Sequence, residues 1–127
     1  MKKADIDAFE KVQTQIQALH DEISALTKKS SNDAINEFKL KFINSILAEA
    51  NKLLGTKYRP FPGFDVFDTE VFPSNSDTTF ILAQYLNCME KLRSDNIWNE
   101  FSAWYWSVDG NENKIRTAPP QKILKGR

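Results

Sequence analysis

Apolar residues in the first part of the chain recur at alternating steps of three and four. This spacing is the a/d register of a coiled coil, in which a narrow apolar stripe faces one other helix. The residues between the apolar positions are mostly polar or charged, so we expect the rest of the helix to face water. The pattern predicts a long amphipathic helix from about Ala4 to Lys29. Its stripe, called the seam below, consists of Phe9, Val12, Ile16, Leu19, Ile23 and Leu26.

Two arrangements can cover this seam. In the first, the helix pairs with a second copy of the chain or with a helical protein partner. In the second, the next helix folds back across residues 28–33, KKSSND, and covers the seam within one chain. Only about three heptads fit, which is near the lower limit for a coiled coil in water. We favour association between chains, and the intramolecular hairpin stays open as the alternative.

The middle of the chain predicts a small helical body. Apolar residues with a broad helical periodicity indicate helices over about residues 33–54 and 76–94, and Gly55 stands where a left-handed C-cap belongs. Residues 56–75 combine helix-breaking prolines with many aromatic side chains. A loop of this length and composition must pack on something, and we expect it to cover the second helix.

The C-terminal part predicts a helix followed by a hairpin. We expect a short fourth helix from about residue 95, with Trp98 and Phe101 on its inward face. The Asp109-Gly110 pair lies between two short alternating runs and predicts a β-hairpin over residues 105–117. The fold class is therefore mainly α, with a long coiled-coil-like helix (1–30), a helical body with an aromatic-rich loop and a C-terminal hairpin (31–118), and a basic tail (119–127).

All three tryptophans fall within residues 98–106. Such a cluster can fill a core, anchor a protein interface or stack nucleobases. Trp104, Tyr105 and Trp106 are consecutive, so they cannot all share one face of a helix or a strand. We therefore expect at least one of them to be exposed or packed on a partner. In an extended segment, Tyr105 points away from the two tryptophans.

No pattern typical of catalysis or cofactor binding is present in the sequence. His20 is the single histidine and Cys88 the single cysteine, which is a poor basis for a metal site or a nucleophile. The acidic residues Asp65, Asp68 and Glu70 lack the spacing of a calcium loop. We therefore expect no enzyme activity, no metal, no cofactor and no small-molecule substrate.

Charge and composition narrow the class of partner. Lys plus Arg and Asp plus Glu number 17 each, so no net charge attracts the chain to nucleic acid or lipid. The chain is 41% hydrophobic and 27% charged, as expected for a globular domain. It has no apolar run of the roughly 18 residues that a membrane span needs, and no secretory signal at its start. We expect a cytoplasmic protein.

Association is the activity that these patterns favour. We expect a non-catalytic oligomerising adaptor or accessory subunit of a larger intracellular assembly, acting through the seam and an aromatic surface of Trp104, Tyr105 and Trp106. One alternative is a nucleic-acid-associated subunit that uses the tryptophans and the basic C-terminal residues. Another is a small inhibitor or immunity-type protein that blocks an enzyme with its acidic, aromatic loop. The basic residues available to nucleic acid or a partner are Lys114, Arg116, Lys122, Lys125 and Arg127.

Overall fold

Three helices and a small antiparallel sheet make up the fold. The computed structural model describes residues 1–109 and 114–121. The mainly helical class with a C-terminal β-hairpin is confirmed, and the first helix is long, as predicted. In chain order the elements are α1 (Lys3–Ser30), α2 (Glu37–Tyr58), α3 (Asn75–Ser94), β1 (Ile97–Glu100), β2 (Ala103–Trp106) and β3 (Arg116–Thr117).

The seam of α1 is covered within the single chain. Phe9, Val12, Ile16 and Ile23 are buried in one core cluster with residues of α2 and α3, and Leu19 and Leu26 pack against it. The helix lies chiefly against α3 and also contacts α2. The structure therefore has the intramolecular arrangement, with α3 as the main cover rather than α2. Pairing of α1 between chains stays a prediction, and it would require α1 to leave this core.

Polar contacts fix α1 on its two neighbours. The Thr27 and Thr79 hydroxyls join α1 to α3 at 2.8 Å. Lys39 Nζ lies 2.6 Å from Glu22 Oε2 and links α2 to α1. Because α1 shares its core with α2 and α3, residue 30 marks a turn between helices rather than the edge of a separate core.

Helix α2 begins later than its polar pattern predicts. Ala34 forms an isolated bridge with Ser74, and the Ile35 N–H donates to the Pro73 carbonyl at 2.9 Å. These extended contacts hold the backbone out of the helix until Asn36, whose Oδ1 accepts from Lys39 N as the N-cap.

The end of α2 follows the glycine signal. Gly55 has φ 60° and ψ −167°, a conformation that only glycine adopts readily, and it kinks the helix after Leu54. A last helical turn then continues to Tyr58.

The loop between α2 and α3 runs back along α2. Asn51 Nδ2 donates to Asp65 O and Oδ1, at 2.8 Å each. Two helical turns nearer the start of α2, the Asn44 side chain bonds both the N–H and the carbonyl of Phe67, at 3.0 and 2.9 Å. These side-chain amides replace the hydrogen bonds that an irregular segment cannot make with itself. The loop is therefore an ordered cover of α2, as predicted.

The predicted fourth helix is wrong, because residues 97–106 form a β-hairpin. Glu100 pairs with Ala103, and Phe101 and Ser102 between them have φ of 51° and 67°. Positive φ at both central positions defines a type I′ turn, whose twist matches that of the two strands. The usual residues there are Asn and Gly, so Phe-Ser gives no sequence signal for the turn.

The hairpin predicted around residue 109 is confirmed. β2 pairs with β3 in antiparallel register, with Trp104 opposite Thr117 and Tyr105 opposite Arg116. Gly110 of the predicted turn lies outside the described residues.

Candidate interaction surfaces

The aromatic cluster is divided between the two faces of the sheet. Trp106 is 1% exposed, packs edge-on against Phe9 at 5.2 Å, and donates from Nε1 to Glu10 Oε2 at 3.3 Å. Trp104 shares that face by alternation and is half-buried. Tyr105 points the other way, as expected for an extended segment. Trp106 is thus a core residue in the single chain, and the role of the trio as an interface stays a prediction.

The expectation that Trp98 and Phe101 point inward together is wrong. They share no helix face, because each lies on the hairpin. Phe101 is 95% exposed at the turn, and Trp98 lies half-buried on the outer face of the sheet.

This outer face combines aromatic and basic groups. Trp98 pairs directly with Tyr105, and their rings lie 5.2 Å apart. Lys114 Nζ lies over both rings, 5.7 and 5.3 Å from their centres, and pairs with Glu100. The hydrogen bond to Glu100 raises the pKa of Lys114. Arg116 stands opposite Tyr105 and is exposed.

Only part of the predicted basic set can be placed. Lys114 and Arg116 lie together on the outer face of the sheet. Lys122, Lys125 and Arg127 lie outside the described residues.

A second surface consists of exposed apolar side chains on α2 and the following loop. Phe38 and Val71 are 68% and 69% exposed, and Phe42 and Phe72 are also exposed. The rings of Phe38 and Phe42 meet at 5.0 Å. Val71 and Phe72 lie on the loop between Phe67, which bonds to Asn44 of α2, and Pro73, which bonds to Ile35 just before α2. We call Phe38, Phe42, Val71 and Phe72 the phenylalanine surface.

A groove of about 700 Å³ lies between α1 and α3. Glu10, Gln17 and Asp21 stand along its α1 side, and Leu86 and Asn87 along its α3 side. One side is closed by Thr117 of β3 and by Ala118 and Gln121, which follow that strand. We call this concavity the α1–α3 groove.

The wall formed by the C-terminal segment is held by a buried ion pair. Arg93 and Glu90 are 4% and 7% exposed and bond twice, at 2.8 Å each. Arg93 also donates to Thr117 Oγ1, Ala118 O and Pro119 O, and Glu90 Oε2 accepts from Gln121 N. Charge-assisted bonds of this kind are the strong ones, so the segment is fixed on α3. We call Glu90 and Arg93 the C-terminal clamp.

The acidic residues, the cysteine and the histidine that the sequence offers as candidate sites each lie against other residues of the fold. Asp65 binds Asn51 and Arg59, and Asp68 accepts from the Glu70 N–H. Burial raises the pKa of the Cys88 thiol, which lowers its reactivity. His20 lies beside Asp21 at 4.0 Å on α1. Within residues 1–109 and 114–121, no cluster of three or more His, Cys, Asp or Glu could hold a metal ion.

One polar pair joins the ends of α2 and α3. Tyr58 donates to Asp95 Oδ2 at 2.7 Å, and Lys91 also bonds this carboxylate. The hydrogen bond raises the pKa of Tyr58 and, together with Lys91, lowers the pKa of Asp95.

Comparisons with protein-family models, with curated proteins and with solved structures return no match, so function is inferred from the geometry of the chain itself. Among the described helices, none is long and apolar enough to span a bilayer.

Sequence reasoning missed both the phenylalanine surface and the groove. A signal for the first is present, since Phe38 and Phe42 lie one turn apart beside Leu40 and Ile43, which are buried. The apolar face of α2 is therefore wider than one packing partner can cover. No local signal marks the groove, because its walls come from helices distant in sequence.

Proposed function

We propose that the protein is a non-catalytic, self-associating subunit that binds a second copy of itself through the phenylalanine surface. The observation that supports this proposal is the exposure of four large apolar side chains on α2 and the loop that follows it, of which Phe38 and Phe42 are in ring contact. Contiguous exposed apolar residues on a small domain are typical of interaction sites. Aromatic residues are also enriched at the centres of protein interfaces.

The charges beside the phenylalanines favour a second copy as the partner. Glu37 and Lys41 are exposed one turn apart on α2, next to Phe38 and Phe42. When two α2 helices cross antiparallel about a twofold axis, Glu37 of each copy comes near Lys41 of the other. A twofold interface requires such self-complementarity. Four apolar side chains are a small interface core, so we expect reversible association in the micromolar range.

This proposal keeps association as the function and moves it from the seam to another surface. The seam supplies the core of the single chain, and exposing it would cost much of the stability of a small domain. The phenylalanine surface is exposed without any rearrangement.

Sedimentation velocity across a range of protein concentrations tests the proposal. We expect a monomer–dimer equilibrium for the parent chain and a monomer for the Phe38→Ser/Phe42→Ser double variant. Phe101→Asn is the matched control, because it removes an exposed phenylalanine at the hairpin turn and should leave association unchanged. A parent chain that stays monomeric at high micromolar concentration contradicts the proposal, as does an equal loss of association in the control.

Single-stranded nucleic-acid binding is a second candidate, and the outer face of the sheet favours it. Trp98, Tyr105, Lys114 and Arg116 lie together there, and stacked aromatic rings beside cations suit bases and phosphates. With so few cations, we expect weak binding with a shallow dependence on salt. Titration of Tyr105→Ala and parent chains with an oligothymidine, followed by anisotropy, tests it. Equal binding by the two chains would contradict this candidate.

A further inference from the structure

The α1–α3 groove is separate from the phenylalanine surface and differs from it in shape and charge. None of the four residues of the phenylalanine surface lines it. Its volume of about 700 Å³ lies within the range typical of ligand sites. The side chains along it combine a nearly buried apolar residue, Leu86, with the amides of Gln17 and Asn87.

One wall of the groove is held in place by a buried ion pair. Burying Arg93 and Glu90 carries a desolvation penalty that only their hydrogen bonds offset. The clamp fixes Thr117 and Gln121 where they face α1 across the groove. The concavity is therefore a fixed feature of the fold rather than a gap between loosely placed segments.

The charged side chains of the groove that remain available to a ligand are acidic. Arg93 is the cation among the described lining residues, and its guanidinium donates to five acceptors within the chain. Glu10 and Asp21 are exposed, and among the described residues Trp106 Nε1 donates to Glu10 and Gln17 Nε2 donates to Asp21. A carboxylate has about four acceptor sites, so both retain capacity for a ligand. The groove thus offers negative charge to a ligand and no available cation from these residues.

The spacing of the two carboxylates indicates an extended ligand. Glu10 and Asp21 are eleven residues apart on one helix, which separates their backbones by roughly 17 Å. An extended peptide covers that distance in about five residues. Gln17 between them can bond the peptide backbone, and Leu86 can contact aliphatic side chains.

We propose that the α1–α3 groove binds an extended segment of a partner protein in which two Lys or Arg side chains, about five residues apart, flank small aliphatic residues. The segment's cations meet Glu10 and Asp21, and its aliphatic residues lie over Leu86. A self-associating chain with this second site would join two copies of such a partner.

Fluorescence anisotropy with a labelled hexapeptide of sequence KAVLAK tests the proposal on the full chain. We expect saturable binding that EAVLAE, the charge-reversed peptide, does not show. The Glu10→Gln/Asp21→Asn variant keeps the hydrogen bonds to Trp106 and Gln17 and removes both charges, so we expect at least a tenfold loss of affinity. Glu49→Gln/Glu70→Gln is the matched control, because it makes the same change of net charge outside the groove and should alter affinity by less than twofold.

Three results of the peptide-binding assays would overturn the proposal. KAVLAK could fail to bind at millimolar concentration. The control pair could lose as much affinity as the groove pair, which would mean that net charge alone attracts the peptide. Binding could also require deletion of residues 122–127, which would assign the groove to the chain's own basic residues. Peptide titration of the ¹⁵N-labelled parent chain adds a readout without any variant: we expect shifts at the Gln17 and Asn87 amides, and shifts confined to other surfaces would contradict the site.

Discussion

Replacing Trp106 by alanine removes the buried indole that packs the sheet against α1. An indole takes roughly 200 Å² out of water, which is worth about 5 kcal/mol at 25 cal/mol per Å², and alanine keeps little of it. The edge contact with Phe9 and the bond to Glu10 are lost as well. We expect Trp106→Ala to lower the free energy of unfolding by about 4–5 kcal/mol. That loss is a large share of the roughly 5–15 kcal/mol that holds a small domain folded.

Thermal and urea unfolding followed by circular dichroism measure this effect. For a chain of 127 residues the loss corresponds to a fall in Tm of roughly 15 °C or more. Tyr105→Ala is the control, because Tyr105 neighbours Trp106 in sequence but lies on the outer face, where its pairing with Trp98 is worth about 1 kcal/mol. If Trp106→Ala melts within a few degrees of the parent, or if both variants lose the same stability, the inward placement of Trp106 is wrong.

Three further predictions concern the backbone, the clamp and a buried phenol. Gly55→Ala should lower the free energy of unfolding, measured in urea, by about 1–2 kcal/mol because residue 55 has a positive φ. Gly63 has open space around it and no positive φ, so Gly63→Ala should leave the stability unchanged. Arg93→Met should lower the free energy of unfolding by about 3–5 kcal/mol because it leaves Glu90 buried without its cation. The Glu90→Met/Arg93→Met double variant should recover most of that loss. If the two substitutions instead lower the stability additively, the coupling between Glu90 and Arg93 is contradicted. Burial raises the pKa of Tyr85, so the folded chain keeps a proton that the unfolded chain loses near pH 10. Stability should therefore be full below pH 10 and fall as pH rises through the raised pKa, and Tyr85→Phe should flatten this fall in alkaline urea titrations.

The helices could be predicted because their signals are local. The seam predicts α1 to within a residue at each end, since amphipathic periodicity and charged end turns act within one helix. The same pattern could not say what covers the seam. An apolar stripe is equally satisfied by a second chain, by α2 or by α3, and α3 is distant in sequence.

The hairpin at residues 97–106 could not be predicted for a different reason. Its turn places Phe101 and Ser102 in a conformation that favours glycine and asparagine. Local preference therefore opposes the structure, and the pairing of Trp98 with Tyr105 and the burial of Trp106 hold the turn in place. Trp98 and Phe101 are three residues apart, a helical spacing, and this spacing led to the wrong prediction of a helix.

The candidate surfaces depend on tertiary structure. Phe38 and Phe42 look like core residues in the sequence, but in the fold α2 buries Leu40, Ile43 and Leu47 and leaves both phenylalanines exposed. The C-terminal clamp joins two residues of α3 to a segment more than twenty residues later. No local pattern of residues predicts such a contact.

The central claim is that α1 belongs to its own chain and that association uses another surface. Thr27→Cys/Thr79→Cys, made with Cys88→Ser, tests it, because the two hydroxyls meet at 2.8 Å and a disulfide there would lock α1 onto α3. Sedimentation velocity of the oxidised protein gives the answer. We predict a disulfide within each chain and the same monomer–dimer equilibrium as the parent. A disulfide that forms between chains, or a locked chain that no longer associates, would show instead that α1 pairs across copies.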